Sequence, residues 1–149
     1  AINRALKTYL RKGYSPKWVN LRVKSIEIRK DLTDEWEVRG MKEGIEFAIL
    51  TDEISRAWTG LSTKQYKNLK GLKKENLRDN MSNLELVLNM LAETSTPEIS
   101  KTKQPKTFPE NRHVAREGGS VAGNARKEIE SKTGRRVISR GRFSKKQLT

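Results

Sequence analysis

The chain of 149 residues is predicted to fold as an all-α protein, an irregular helical bundle with one long amphipathic helix and a basic helical C-terminal extension. Three observations predict this class. After Ser15-Pro16, apolar residues recur at three- and four-residue steps, the spacing of one helix face. A second stretch, from Ser82 to Thr94, is apolar nearly all round, which is typical of a buried helix. Phe47-Ala48-Ile49-Leu50 has the composition of a buried strand, but no partner strand is evident.

The first two helices follow from their end signals. A short helix over residues 1–12 is predicted to stop at Gly13. The long helix begins at Ser15-Pro16, a capping hydroxyl followed by proline, and runs to about Arg39. At about 1.5 Å per residue it is about 36 Å long, so several helices or a second subunit must pack along it. Trp18 and Trp36 lie on its apolar stripe, which favours core or interface anchors over a nucleobase-stacking platform.

Acidic residues cluster near the end of this long helix. A metal or acid–base site is the chemical alternative, but such clusters on a mixed-charge helix are usually solvated faces with i,i+4 pairs. The residues concerned are Asp31, Asp34, Glu35 and Glu37.

Two shorter helices are predicted next, from Ile45 to Trp58 and from Thr63 to Lys70, separated by Gly60 and capped at Ser62. The pair has the spacing of a helix-turn-helix, whose second helix would present basic and amide side chains to DNA. Many helical hairpins share this spacing, so a hairpin without DNA contact is the alternative. The basic side chains of the second helix are Lys64, Lys67 and Lys70.

The apolar stretch is predicted to start at Ser82, because Ser82 and Glu85 form a capping box. Its helix would bury the side chains of Leu84, Leu86, Val87, Leu88, Met90 and Leu91. Pro97, flanked by Ser95 and Glu98 as a second capping box, predicts a kink or a new helix that fades by Lys103. The loop that precedes Ser82 is basic, and its candidate nucleic-acid contacts are Lys70, Lys73, Lys74 and Arg78.

This region resembles the C-terminal half of DNA-damage-inducible protein D and its relatives, the BRO-type phage antirepressor proteins. The resemblance covers about residues 18–134 and is carried by Glu46-Phe47-Ala48-Ile49, Gly60-Leu61, Lys70-Gly71-Leu72-Lys73-Lys74, Asp79-Asn80-Met81 and Glu85-Leu86. The family commonly has His at the position of Asn80, so any role of that imidazole is absent here. The resemblance implies a role in the bacterial DNA-damage response or in phage regulation, an upstream BRO-type domain, and contact with the RecA recombinase filament. It implies no reaction.

A domain boundary is predicted at residue 104, between a helical core domain (1–103) and a basic C-terminal helix with a flexible tail (104–149). The last helix is predicted from near Pro109 to Gly134, interrupted at Gly118-Gly119. Small residues recur on it at four-residue spacing. This smooth face predicts either a docking or dimer interface or a flexible hinge, and its residues are Ala115, Gly119 and Gly123.

The formal net charge is +14, and residues 101–149 carry +10 of it. Such an asymmetry favours a polyanionic partner, most often nucleic acid. The candidate contacts in this third are Arg126, Lys127, Arg135, Arg136, Arg140 and Arg142. From Arg135 to Lys146 the chain is predicted to be disordered when free, with Phe143 stacking on a base. A solvated tail is the alternative.

Composition excludes several classes of site. There is no Cys, hence no disulfide or thiolate metal site, and the zero count fits a reducing cytoplasm. No apolar run approaches the roughly 18 residues of a membrane span. With His113 as the only histidine, no Ser–His–Asp set or HxxxH metal motif can be assembled. No catalytic residue, metal or cofactor is therefore predicted.

The function predicted from the sequence is that of a non-enzymatic regulatory module in the bacterial cytoplasm, associated with the nucleoid. It would contact single- or double-stranded DNA, or a DNA-bound protein such as a RecA-type filament, through its basic surface. The alternative is a protein-interaction or homodimerisation module without direct nucleic-acid contact.

Overall fold

A computed structural model of the chain describes residues 2–142. Over this range the protein is all-helical, as predicted, and contains no strand. The elements are α1 (Ile2–Arg11), α2 (Pro16–Val38), α3 (Ile45–Thr59), α4 (Thr63–Leu69), a 3-10 turn (Arg78–Asn80), α5 (Asn83–Lys103) and α6 (Phe108–Thr133). None of the helices in the described part has the length and apolarity needed to cross a bilayer.

Side-chain caps set the starts of these helices. The Ser15 hydroxyl accepts a hydrogen bond from the Trp18 amide at 3.2 Å, and Pro16 opens α2. Ser82 and Glu85 exchange two hydrogen bonds of 3.0 and 3.2 Å, which confirms the predicted start of α5. Such reciprocal bonds satisfy amide donors that a helix N-terminus would otherwise leave unpaired.

Trp18 and Trp36 lie in the core, with exposures of 0% and 1%. The indole nitrogen of Trp18 donates to the Met81 carbonyl oxygen at 2.9 Å, which ties α2 to the start of α5. Their burial within one chain means that neither ring is a nucleobase platform or an anchor for a second subunit. The prediction of core anchors is confirmed and the interface assignment is wrong.

Helix α6 packs against α3 and α5 through its small residues. Ala115 is fully buried, and a Cβ atom added to Gly119 would lie 2.7 Å from the Ile54 carbonyl oxygen. A Cβ atom at Gly123 would collide with the Ala57 carbonyl oxygen. The predicted docking or dimer face is therefore wrong, because α3 already covers it.

The two central glycines of α6 do not interrupt the helix, contrary to prediction. Gly118 approaches Thr96 of α5, so closely that a Cβ atom would overlap the threonine side chain. Helix–helix packing at this distance offsets the loss of roughly 1 kcal/mol in helix propensity for each glycine.

The predicted boundary at residue 104 is a tight turn between two helices of one core. Gln104 adopts a left-handed conformation there, with φ of 50°. Beyond this turn, Ala115, Ala122 and Val137 belong to the same hydrophobic cluster as Trp18. The C-terminal third is thus packed into the bundle.

Helix α5 runs from Asn83 to Lys103 as one helix with Pro97 inside it, so the predicted new helix there is wrong, and the predicted kink stays a prediction. Pro97 is buried, and α5 is held between α2 and α6. This packing compensates for the backbone hydrogen bond that proline cannot donate.

Burial on α5 is less complete than its composition predicts. Leu86 and Leu88 enter the core, whereas three apolar side chains remain partly exposed on the opposite side. These side chains form an apolar stripe at i, i+3 and i+7, namely Leu84, Val87 and Leu91, with exposures of 40%, 44% and 36%.

The acidic cluster of α2 divides into two environments. Asp34 pairs with Lys30 at 3.0 Å on the exposed side, as predicted for a solvated face. Glu35 is buried, pairs with Arg39 at 2.6 Å and accepts a hydrogen bond from Ser100 of α5 at 2.6 Å. For Glu35 the solvated-face prediction is wrong, since its carboxylate fastens α2 to the end of α5.

Candidate nucleic-acid interface

Helix α4 presents two of the predicted DNA-contacting lysines. Its start is fixed by a capping box between Ser62 and Gln65, and the Thr63 amide donates to Asp52 of α3 at 2.8 Å. Lys64 is exposed and Lys67 is partly exposed. The helix is therefore anchored at its first turn while its basic side chains face outward.

The third predicted lysine of this helix, Lys70, is 1% exposed. Its ammonium group lies 2.9 Å from the Glu85 carboxylate and donates to the carbonyl and hydroxyl oxygens of Ser139, each at 2.9 Å. Tyr66 donates its hydroxyl to the same carboxylate, and burial beside this negative charge raises the pKa of Tyr66 far above its usual range. The assignment of Lys70 to a nucleic-acid contact is wrong, because its charge is used inside the protein.

The loop after α4 adds two exposed lysines. The Glu75 carboxylate accepts hydrogen bonds from the backbone amides of Lys73 and Lys74, each at 3.0 Å. These backbone bonds lower the pKa of Glu75, which therefore stays ionised. Leu72 is buried, whereas the neighbouring Lys73 and Lys74 are exposed.

The segment after α6 lies against α4 and this loop. Val137 is buried, the Gly141 amide donates to the Leu69 carbonyl at 3.1 Å, and Arg142 pairs with Glu75. Disorder from Arg135 onward is therefore a wrong prediction as far as residue 142. Phe143, Lys145 and Lys146 lie outside the described residues.

This docking brings exposed arginines next to the lysines of α4 and its loop. Arg140 stands between Ser139 and Gly141, which both contact the end of α4. Arg136 and Arg135 are three and four residues from Ser139, so chain length alone keeps them within about 10 and 14 Å of it. We call the following exposed or partly exposed cations the basic face: Lys64, Lys67, Lys73, Lys74, Arg135, Arg136 and Arg140.

Within the described part of the chain, no carboxylate pairs with the cations of the basic face. Among residues 2–142, none of its side chains forms a salt bridge. Neighbouring cations within about a Debye length of 10 Å act together on a polyanion. The geometry therefore gathers uncompensated positive charge from three separate parts of the chain.

Three other predicted nucleic-acid contacts, Arg78, Arg126 and Arg142, instead bind groups of the protein itself. Arg126 donates to the Trp58 carbonyl at 2.7 Å and pairs with Glu130 at 2.7 Å. Arg78 pairs with Glu93 at 2.9 Å, and Arg142 is held by Glu75. Lys127 is exposed on α6.

The C-terminal third does not act as one basic surface. Several of its cations are paired with carboxylates, including Lys103, Arg112, Arg116, Arg126, Lys132 and Arg142. The prediction that this whole third meets a polyanionic partner is therefore narrowed to Arg135, Arg136 and Arg140, which belong to the basic face.

Sequence reasoning missed a cavity of about 320 Å³ beside the basic face. Its lining comes from α3, α4, the loop and α5, and includes Trp58, Lys67, Lys74 and Asn89. Asn89 accepts a hydrogen bond from the Trp58 indole at 3.2 Å. These residues are far apart in sequence and share no local motif, so no signal in the sequence brings them together.

No group of three or more acidic or histidine side chains in the described ranges is arranged to hold a metal ion. His113 is exposed and lies 3.6 Å from Glu117.

The predicted helix-turn-helix elements are present as α3 and α4, but α4 has only seven residues. Whether α4 contacts DNA bases stays a prediction. The chain matches no family model, no curated protein and no solved structure. The resemblance to DNA-damage-inducible protein D and the BRO-type antirepressors therefore also stays a prediction.

Proposed function

We propose that the protein is a non-enzymatic regulatory module that binds nucleic acid through the basic face. One observation carries the proposal: seven exposed or partly exposed cations from α4, its loop and the C-terminal segment converge without salt bridges among residues 2–142. Phosphate contacts by such cations release counterions, which supplies most of the affinity in sequence-independent binding.

The biological setting is proposed from the resemblance. A module of a DNA-damage-inducible or antirepressor protein would work at the bacterial nucleoid, on DNA or on a DNA-bound protein such as a RecA-type filament. The acidic surface of a nucleoprotein filament would meet the same basic face.

The experiment that tests the proposal compares binding of fluorescent single- and double-stranded oligonucleotides by anisotropy at about 50 mM salt. Truncation at residue 101 is not a suitable variant, because α6 is part of the core. Four-fold substitution of Lys64, Lys67, Lys73 and Lys74 by Ala removes charge at exposed or partly exposed positions only. We expect this variant to lose most of its affinity; wild-type protein that binds neither oligonucleotide would contradict the proposal.

The control is Lys101→Ala, which removes one charge elsewhere. Lys101 is exposed on α5, sixteen positions after Glu85 and therefore about 24 Å along the helix axis from the Lys70–Glu85 pair. We expect this variant to bind as the wild type does.

A second candidate function, a protein-interaction or dimerisation module, is favoured by the apolar stripe of Leu84, Val87 and Leu91. Sedimentation of the wild type and of Val87→Glu would test it, together with pull-down after nuclease treatment. A dimer that dissociates in Val87→Glu, or a protein partner that survives nuclease, would support this candidate. A monomer that loses every partner on nuclease treatment would count against it.

A further inference from the structure

The cavity of about 320 Å³ beside the basic face has two kinds of lining. Its buried part combines three apolar side chains, Ile54, Trp58 and Met81, each at most 2% exposed, with the buried polar residues Ser55, Asn89 and Glu93. Its outer part is basic and is formed by Lys67 of α4 and Lys74 of the loop. The volume lies at the lower end of the roughly 300–1,000 Å³ found for small-molecule sites, so it suits one small ligand.

The carboxylates that line this cavity are already engaged. Glu93 accepts from Arg29 at 2.8 Å and from Arg78 at 2.9 Å, so two guanidinium groups share one negative charge. Glu75 is held by Arg142 and by backbone amides of its own loop. The cavity is therefore left with a positive excess.

The unpaired charge lies at the outer part of the cavity. The ammonium groups of Lys67 and Lys74 form no salt bridge with any residue in the range 2–142. Asn76 and Thr63 also line the cavity. Two lysines at the mouth of a partly apolar cavity suit a ligand with an anionic head and a partly apolar body.

We propose that this cavity binds a single nucleotide, with the phosphate against Lys67 and Lys74 and the base against the apolar wall near Trp58. The phosphate-bearing nucleotide has two sources, a free mononucleotide or the phosphorylated end of a nucleic acid. The cavity shares both lysines with the basic face. The second source, a phosphorylated nucleic-acid end, therefore rests on the proposed function, whereas binding of a free mononucleotide does not.

Isothermal titration calorimetry on the full chain tests the proposal with deoxyadenosine 5′-monophosphate, deoxyadenosine and inorganic phosphate as separate probes. The phosphate should add charge-assisted hydrogen bonds, and the base should add apolar contact. We therefore expect the nucleotide to bind at least about tenfold more tightly than either of its parts. Equal affinities for the three probes, or no binding of the nucleotide, would overturn the proposal.

Lysine variants separate the cavity from general electrostatic attraction. Lys67→Ala and Lys74→Ala should each weaken nucleotide binding by about tenfold, since each removes a charged donor from the cavity. Lys73→Ala is the matched control, because Lys73 is exposed in the same loop but does not line the cavity. A loss of nucleotide affinity in Lys73→Ala equal to that in Lys74→Ala would contradict a defined site.

Oligonucleotides with and without a 5′-phosphate distinguish this proposal from the proposed function. We expect the phosphorylated strand to bind more tightly, with the difference abolished in Lys74→Ala. If both strands bind equally and the mononucleotide does not bind, the cavity proposal fails while the proposed function stands. If the mononucleotide binds and no oligonucleotide does, the cavity is a free-nucleotide site and the proposed function fails.

Discussion

The ammonium nitrogen of Lys70 lies 2.9 Å from the Glu85 carboxylate, and both side chains are completely buried. The pair joins the end of α4 to the first turn of α5. Ser139 completes it by donating to Glu85 at 2.7 Å and accepting from Lys70. The C-terminal segment, and with it Arg140, is therefore positioned beside α4 by one internal ion pair.

Breaking this pair should destabilise the protein strongly. Lys70→Met leaves the Glu85 carboxylate buried without its counter-charge, which typically costs about 3–5 kcal/mol. The double variant Lys70→Met with Glu85→Gln should recover much of this loss, because Gln is neutral and still accepts from the Ser82 amide. Urea unfolding followed by circular dichroism measures both. Lys73→Met is the exposed control and should change the free energy of unfolding by no more than about 0.5 kcal/mol. If Lys70→Met changed it by as little, the buried ion pair would not have the stabilising role described here.

Gly123→Ala should destabilise the protein, although alanine is the better helix former by roughly 1 kcal/mol. The added methyl group would meet the Ala57 carbonyl of α3, and forcing α3 and α6 apart typically costs about 1–3 kcal/mol. Thermal unfolding of the variant measures the net effect of the gain in helix propensity and the cost of the steric clash. Asn124→Ala, at the next and exposed position, is the control and should be neutral or slightly stabilising. Stabilisation by Gly123→Ala would mean that α6 does not contact α3 closely.

All three tyrosines should titrate above the usual range near pH 10 in the folded protein. Burial and a 2.6 Å hydrogen bond to Asp79 raise the pKa of Tyr9 to about 12. Burial raises the pKa of Tyr14 and of Tyr66 as well. Because the folded pKa is the higher one, these groups contribute stability that is fully present below pH 10 and is lost as the pH rises further.

Absorbance at 295 nm, recorded against pH in native and urea-unfolded protein, tests this alkaline prediction. The unfolded chain should ionise near pH 10 and the folded chain at higher pH. Ionisation of a tyrosine near pH 10 without loss of helical structure would contradict the contacts of that ring.

Acid should weaken the link between α3 and α6 at Glu53. Burial raises the pKa of Glu53, but hydrogen bonds from Arg112 and Arg116 outweigh it and hold the pKa below its usual range. The stabilisation is therefore present above the unfolded value near 4.5 and is lost as the pH falls through the lower folded value.

Comparing the wild type with Glu53→Gln in urea at several pH values tests this prediction. The difference in free energy of unfolding should be on the order of 1 kcal/mol at neutral pH, because the arginines are partly exposed. It should shrink as the pH falls below about 4, and a difference that is independent of pH would contradict the ion pairs.

Local signals predicted the helices, and tertiary contacts decided their environment. Ser15, Ser62 and Ser82 mark helix starts because capping uses residues within one turn. The new helix that was one of two predictions at Pro97 does not form, because two neighbouring helices hold α5 on either side, which no local pattern encodes. In the same way, Gly118 was expected to weaken α6 and instead permits its approach to α5.

In the candidate site, too, local sequence predicted the residue types but not their tertiary contacts. Lys67 and Lys70 are indistinguishable by residue type and local spacing, yet only Lys70 faces the buried Glu85. Glu85 is fifteen residues from Lys70 in sequence. Its presence is already accounted for by the capping box with Ser82, so the sequence gives no reason to pair it with Lys70. The approach of Arg140 to α4 depends on a contact between residues 70 and 139, which composition alone does not predict.

The dependence of duplex-DNA affinity on salt tests the basic face most directly. If all seven cations contact phosphates, log affinity should fall against log salt with a slope of about −6. Each single Lys→Ala substitution at Lys64, Lys67, Lys73 or Lys74 should make the slope less steep by about 0.9, while Lys101→Ala should leave it unchanged. An affinity that does not vary with salt, or a slope altered as much by Lys101→Ala as by Lys74→Ala, would contradict a nucleic-acid interface at this face.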